Sequence, residues 1–150
     1  MYKKLFIPGP THVREEILQA QAAPMIGHRS QEYADLQAAV TTKLQQLLYT
    51  QQRVYLFASS STGVMEGAVR QASTKKVLNT VCGAFSKRWH QITARNGVAC
   101  DKVEVPMGQA ITPPLVDEAL SQGGYDALTI VLNETSTGVM SPVADIAALV

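Results

Sequence analysis

Four small hydroxyl residues, Ser59, Ser60, Ser61 and Thr62, follow directly on the apolar run "RVYLFA" and precede "VMEGAVRQA", a segment with helical spacing. At the start of a helix such hydroxyls stand beside unpaired N–H groups and the positive end of the dipole, so Ser60, Ser61 and Thr62 can donate to one anion. The stretch has the chemistry of a phosphate cradle. It is not a Walker loop, because no GxxxxGK[ST] occurs, and no GxGxxG follows a strand. One capping serine with turn residues around it accounts for the same spacing, and the residues alone leave the two readings level. A second polar loop, "NETSTGV" (133–139), follows the apolar run "DALTIVLN" and holds Asn133, Glu134, Thr135, Ser136 and Thr137. In a third such loop, "CGAFSKRW", an aromatic, Phe85, lies two residues past a glycine. A phosphate site, a hydroxyl cluster and a flat apolar face together suit a planar phosphorylated cofactor; core packing is the other reading of Phe85.

The elements that must position these loops alternate. Residues 31–48 place Tyr33, Leu36, Val40, Leu44 and Leu47 at steps of three and four, an apolar stripe on a helix that Ser30 would cap. "RVYLFA" (53–58) reads as a buried strand, and so does "DALTIVLN" (126–133); "KVLNTV" (76–81) is a second strand candidate, and "CDKVEV" (100–105) alternates as a further strand. "FSKRWHQITARNG" is a helix that Gly97 would end. "TPPLVDEALSQGG" has Thr112 to cap, Pro113 at the first helical position and Gly123 to stop, and "SPVADIAALV" opens another helix. Strands alternating with helices predict an α/β fold: three layers, with a mostly parallel sheet between helices. In such sheets ligands sit at the carboxyl ends of the strands, where all three polar loops lie. The last helix runs to Val150 with no return strand after it, so the sequence is expected to be a truncated piece of something longer.

Composition narrows the partners. Of 150 residues 46% are hydrophobic and 17% charged, enough apolar material for an ordinary core. Thirteen basic residues against twelve acidic ones give +1, with no basic stripe for a phosphate backbone, which argues against nucleic acid. No apolar stretch approaches the roughly 18 residues of a membrane span, and "MYKKLFIPGP" is no signal-peptide core, so the expected location is cytoplasmic. Cys82 and Cys100 lack CxxC spacing and read as buried thiols, and His12, His28 and His90 have no metal-ligand spacing; no metal is assigned.

"FIPGPTHV", "GHRSQEY" (27–33), "SSSTGVMEG", "GAFSKRW" and "NETSTGV", in this order and spacing, resemble class V, fold-type I aminotransferases that use pyridoxal 5'-phosphate. Within them the resemblance is to the branch of alanine–glyoxylate, serine–glyoxylate and serine–pyruvate aminotransferases. It implies a homodimer with its active site at the subunit interface, an N-terminal arm over 1–25 and the N-terminal part of the cofactor-binding large domain over 26–150. Carried over position by position, it implies that Ser60, Ser61 and Thr62 hold the cofactor phosphate, although serine stands at two positions where the family commonly has glycine. Phe85 would stack on the cofactor ring, Thr135 would hydrogen-bond its phenolic oxygen, and Trp89 would pack in a core or interface. Asn133 and Glu134 would shape their loop. Gly9 resembles the segment lining the substrate end of the cleft. His28 and Arg29 either bind substrate there, Arg29 as a forked anion binder, or cap the following helix or hold the dimer.

The implied reaction moves an amino group from alanine or serine to glyoxylate or pyruvate. Phosphoserine aminotransferase is the alternative that the His28–Arg29 pair favours, and a non-catalytic phosphate-binding or interaction module is the alternative of another class. Lys3, Lys4, Lys43, Lys75, Lys76, Lys87 and Lys102 match no cofactor-lysine motif, and the aspartate that pairs with the pyridine nitrogen has no counterpart. These 150 residues alone are therefore expected to be inactive, with no catalytic residue assigned.

Overall fold

The computed structural model describes residues 3–150. It divides into two compact units, Met1–Phe57 and Ala58–Val150. The first unit carries α1 (Glu15–Gln21) and α2 (Gln31–Leu47). Glu15 and Glu16 occupy the first turn of α1, where negative charge complements the helix dipole; this helix is absent from the sequence expectations. Ser30 caps α2 as expected, its Oγ accepting from the Tyr33 N–H at 3.2 Å. Of the α2 stripe, Val40 and Leu44 are half-buried and Tyr33, Leu36 and Leu47 stay exposed. The expected strand at 53–58 does not form, and Tyr55, Leu56 and Phe57 are more than half exposed. A strand is made by ladder bonds to a neighbour, and among the described residues none pairs with this run.

The second unit holds α3 (Ser61–Ala72), β1 (Val77–Val81), α4 (Ala84–Arg95), β2 (Cys100–Glu104) and α5 (Pro113–Ser121), then β3 (Ala127–Thr129), β4 (Asn133–Glu134), β5 (Val139–Met140) and α6 (Val143–Ala147). Strands β2, β1 and β3 form a parallel sheet in that order, with Val77 opposite both Cys100 and Ala127. Every residue of β1 is buried, which is why "VLNTV" reads as apolar and β-branched rather than alternating. Asn79 faces α4, its Nδ2 donating to Thr93 Oγ1 at 3.3 Å and to Thr129 Oγ1 at 2.7 Å. On the other face Ile111, Val116 of α5 and Ile146 of α6 close a core with Cys82, and Leu128 packs against it. The result is the expected α/β arrangement of helix, parallel sheet and helix. Gly97 and Gly123 follow α4 and α5 with φ of 70° and 75°, the left-handed turn that their positions anticipate. The expected strand at 126–133 is shorter: only Ala127–Thr129 joins the sheet, and Asn133–Glu134 turns back as an antiparallel pair with Val139–Met140.

The amino ends of the strands are tied by Asp126. Its carboxylate accepts from Ser73 Oγ (2.7 Å), Thr74 N (2.7 Å), Thr74 Oγ1 (2.9 Å), Lys75 N (2.9 Å) and Lys76 N (3.1 Å). Those bonds, the Ser73 hydroxyl first, hold the carboxyl well below the usual aspartate range. No helix among the described residues is long and apolar enough to cross a membrane.

Candidate functional site

At the carboxyl end of the sheet two helices present their N-termini, and the sequence has treated them differently. The N-terminus of α4 is filled from within the chain. Glu134, 1% exposed, turns its carboxylate under the first turn: Oε1 accepts from Phe85 N (3.1 Å) and Ser136 Oγ (2.6 Å), and Oε2 from Ser86 N (2.9 Å) and Ser86 Oγ (2.8 Å). Burial pushes this carboxyl up, but the bonds from Ser136, Ser86 and Phe85 outweigh it and bring it from 4.5 to about 2. Ser86 Oγ in turn accepts from Cys82 N (2.9 Å) and Gly83 N (3.0 Å). Ser136 Oγ also accepts from Ala84 N at 2.9 Å, so the β1–α4 turn and the 133–137 loop are one hydrogen-bonded assembly. Gly83 makes that possible: a Cβ there would stand 2.6 Å from both Glu134 Cδ and Ser136 Oγ.

The N-terminus of α3 is left open. Ser60 stands at its N-cap, yet no side chain caps the helix, and Ser59 Oγ donates to the Ser60 carbonyl instead of serving the first turn. The N–H groups of Ser61 and Thr62 are therefore uncapped by any side chain at the positive end of a 12-residue helix, among the hydroxyls of Ser60, Ser61 and Thr62. The simple capping reading of the serines does not hold here, since none of them caps. A hydrogen bond from Arg88 Nη1 of α4 to Thr62 Oγ1 at 3.3 Å spans the two helices. Phe85 lies on the same face of α4 three residues earlier, 38% exposed, with the Arg88 guanidinium 5.6 Å from its ring centroid.

Of the residues singled out in the sequence, Ser60, Ser61, Thr62, Phe85 and Thr135 thus sit on one unit, with Thr62 and Phe85 linked through Arg88 and Thr135 exposed next to Glu134. Trp89 is half-buried and lines a cavity of about 230 Å³ with Val69, Val77 and Ile130. Gly9, His28 and Arg29 belong to the first unit. His28 and Arg29 are the exposed middle of a turn closed by Ser30 N to the Gly27 carbonyl at 2.9 Å. Since Ser30 caps α2, capping is not the role of His28 or Arg29. A Cβ at Gly9 would meet nothing within 4 Å, so no close approach inside the chain explains that glycine.

Sequence reasoning passed over Arg88, although its place three residues after Phe85 on a helix is a readable signal. Sequence alone gives Glu134 only a loop-shaping role, because its partners on α4 lie 48 and 49 residues away. One further group resembles a nucleophilic triad and is not one. Cys100 Sγ (3.8 Å) and Asn79 Oδ1 (3.2 Å) both approach the same His90 nitrogen, Nδ1, whereas a relay needs both ring nitrogens. Burial also pushes the Cys100 thiol up, away from thiolate.

No family model matches the chain. An uncharacterized aminotransferase of Methanocaldococcus jannaschii is 37% identical over 153 residues, covering 99% of this chain and 39% of that protein. An L-aspartate–glyoxylate aminotransferase of Paracoccus denitrificans is 36% identical over 146 residues, covering 93% of this chain and 37% of its own length. Among solved structures, an alanine–glyoxylate aminotransferase from Nostoc superposes with a TM-score of 0.89 at 25% identity, covering 95% of this chain and 39% of that one. The chain spans about two fifths of the length of these relatives. In sequence and in fold it is similar to class V aminotransferases, and the shares covered are consistent with an N-terminal portion of one.

Proposed function

We propose that this chain is the part of a pyridoxal 5'-phosphate-dependent aminotransferase that grips the cofactor, and that the whole protein moves an amino group from alanine or serine to glyoxylate or pyruvate. The observation that carries the reading is the contrast between the two helix N-termini: α4 is filled by the Glu134 carboxylate, while α3 keeps its N–H groups and hydroxyls open. The donor set fits a phosphate monoester, with backbone N–H groups, three hydroxyls and no carboxylate at the α3 end. Ser60, Ser61 and Thr62 hold the phosphate. Phe85 offers its exposed ring surface to the planar heterocycle, and Thr135 donates its hydroxyl to the phenolic oxygen. When bound, the cofactor supplies the electron-accepting ring that makes an amino acid's α-proton labile. The chain's own contribution is to fix that ring by its phosphate, its face and its oxygen. Glyoxylate is the favoured acceptor because the Paracoccus and Nostoc enzymes described above both carry it in their names.

Gly9, His28 and Arg29 line the substrate end, in a homodimer whose cleft lies between subunits, and the protein works in the cytoplasm. The exposed His28–Arg29 turn favours a second reading, phosphoserine as amino donor, since a guanidinium matches a phosphate bidentately. The test is amino transfer by the protein carrying this chain, purified from its native source with added pyridoxal 5'-phosphate. Glyoxylate is offered with alanine, serine and phosphoserine in turn, and glycine is measured. Glycine from alanine or serine supports the first reading, glycine from phosphoserine alone supports the second, and no transfer from any donor to glyoxylate or, in a parallel set with serine and phosphoserine, to pyruvate refutes both.

A further inference from the structure

We propose that Arg88 is the counter-charge of the phosphate site, and so the residue by which the chain tells a phosphorylated ring from the same ring without phosphate. The inference rests on the cofactor reading above and adds a residue to it. The α3 end offers only dipoles: no lysine or arginine lies among residues 59–62, so hydroxyls and N–H groups alone would face a dianion. Arg88 is the cation that reaches that end, through Nη1 to Thr62 Oγ1 at 3.3 Å. It forms no ion pair among the described residues, and the carboxylate nearest its helix start, Glu134, is buried and taken up by its own donors. One N–H of the guanidinium is spent on a neutral hydroxyl, which leaves the others for an anion. The same group lies over the Phe85 ring, so a single side chain touches both the phosphate end and the ring end of the site. A charge held by a ring and a hydroxyl, with no carboxylate to compete, is placed to answer a charged ligand.

The experiment is equilibrium dialysis of the purified protein carrying this chain, freed of bound cofactor, against pyridoxine 5'-phosphate and against pyridoxine, whose alcohol in place of the aldehyde cannot condense with a lysine. Wild type, Arg88→Ala, Arg88→Lys and, as a control for overall charge, Arg95→Ala from the far end of α4 are compared. The wild type is expected to prefer the phosphorylated compound. Arg88→Ala should weaken its binding about tenfold or more while pyridoxine binding stays unchanged, as for one lost charge-assisted hydrogen bond. Arg88→Lys should recover part of the loss and Arg95→Ala should match wild type. Unchanged preference in Arg88→Ala, or an equal loss in Arg95→Ala, overturns the role of Arg88 and leaves the cofactor reading standing. A wild type that does not distinguish the two compounds overturns the phosphate site itself, and this inference with it.

Discussion

Replacing Glu134 by glutamine keeps the shape of the side chain and removes its charge, at a point where every neighbour is a donor. The two carboxylate oxygens accept from Phe85 N, Ser86 N and the hydroxyls of Ser86 and Ser136, whereas an amide can offer only one oxygen. A hydroxyl can rotate to accept, but a backbone N–H cannot. If the amide nitrogen takes the Oε2 position it confronts Ser86 N, and if it takes the Oε1 position it confronts Phe85 N. One buried donor loses its partner in either case, and the remaining bonds lose their charge, at a cost of about 2–4 kcal/mol. Titration gives an independent figure: a carboxyl brought from 4.5 to about 2 contributes about 3 kcal/mol of stability at neutral pH. Because the folded value lies below the unfolded one, this contribution is complete above about pH 4.5 and is lost as pH falls toward about 2. Urea unfolding followed by fluorescence reads it directly, since the single tryptophan, Trp89, lies on the helix that Glu134 serves. The variant should unfold at lower urea at pH 7, and its gap from wild type should shrink below about pH 4.5 and close near about pH 2. A gap under about 0.5 kcal/mol at pH 7, or one that stays constant down to about pH 2.5, would refute the reasoning.

Gly83→Ala should destabilise the same helix end by about 1–3 kcal/mol by overpacking, read in the same melt; the glycine backbone is extended there, so an unaffected midpoint would mean that Glu134 and Ser136 yield space freely. Asp126→Asn should lower the unfolding midpoint at pH 7. Its gap should narrow as pH falls below about 3.8, since the Ser73, Thr74 and Lys76 donors hold the folded carboxyl below that value. Arg29→Ala in the protein carrying this chain should abolish amino transfer from phosphoserine while sparing alanine, if phosphoserine is the donor; equal loss for both donors would assign Arg29 to another task.

The sequence was most legible where local rules and burial agree. "KVLNTV" reads as a strand and forms one over Val77–Val81, buried because it lies at the centre of the sheet with helices on both faces. Ser30 caps α2 and Gly97 ends α4 because caps depend on residues a few positions away. "RVYLFA" has the same composition as a central strand, but composition cannot supply the neighbour that a ladder needs. "DALTIVLN" suggests a longer strand than forms for a related reason: its apolar run outlasts its pairing with β1, which ends at the Asn79–Thr129 register. In the site, the serine run was readable from hydroxyl type and position. Glu134 and Asp126 were not, since a carboxylate that serves donors about fifty residues away looks in sequence like any surface acid.

The Asp126 clasp has a consequence for the order in which the second unit assembles. β1 and β3 are hydrogen-bonded neighbours, yet α4, β2 and α5 intervene between them in the chain, and the clasp's bonds close loops of 50 to 53 residues. Such closure must wait until most of the unit has come together, because its entropy is spent before the bonds are made. A late contact stabilises the native state without lowering the barrier to it, so loss of the carboxylate should act mainly on the rate of unfolding and leave the refolding rate nearly unchanged. Stopped-flow refolding slowed as much as unfolding is accelerated would instead put the clasp in the folding nucleus. A late clasp is a latch on the finished unit, and the time the chain stays folded depends on it more than the speed with which it folds.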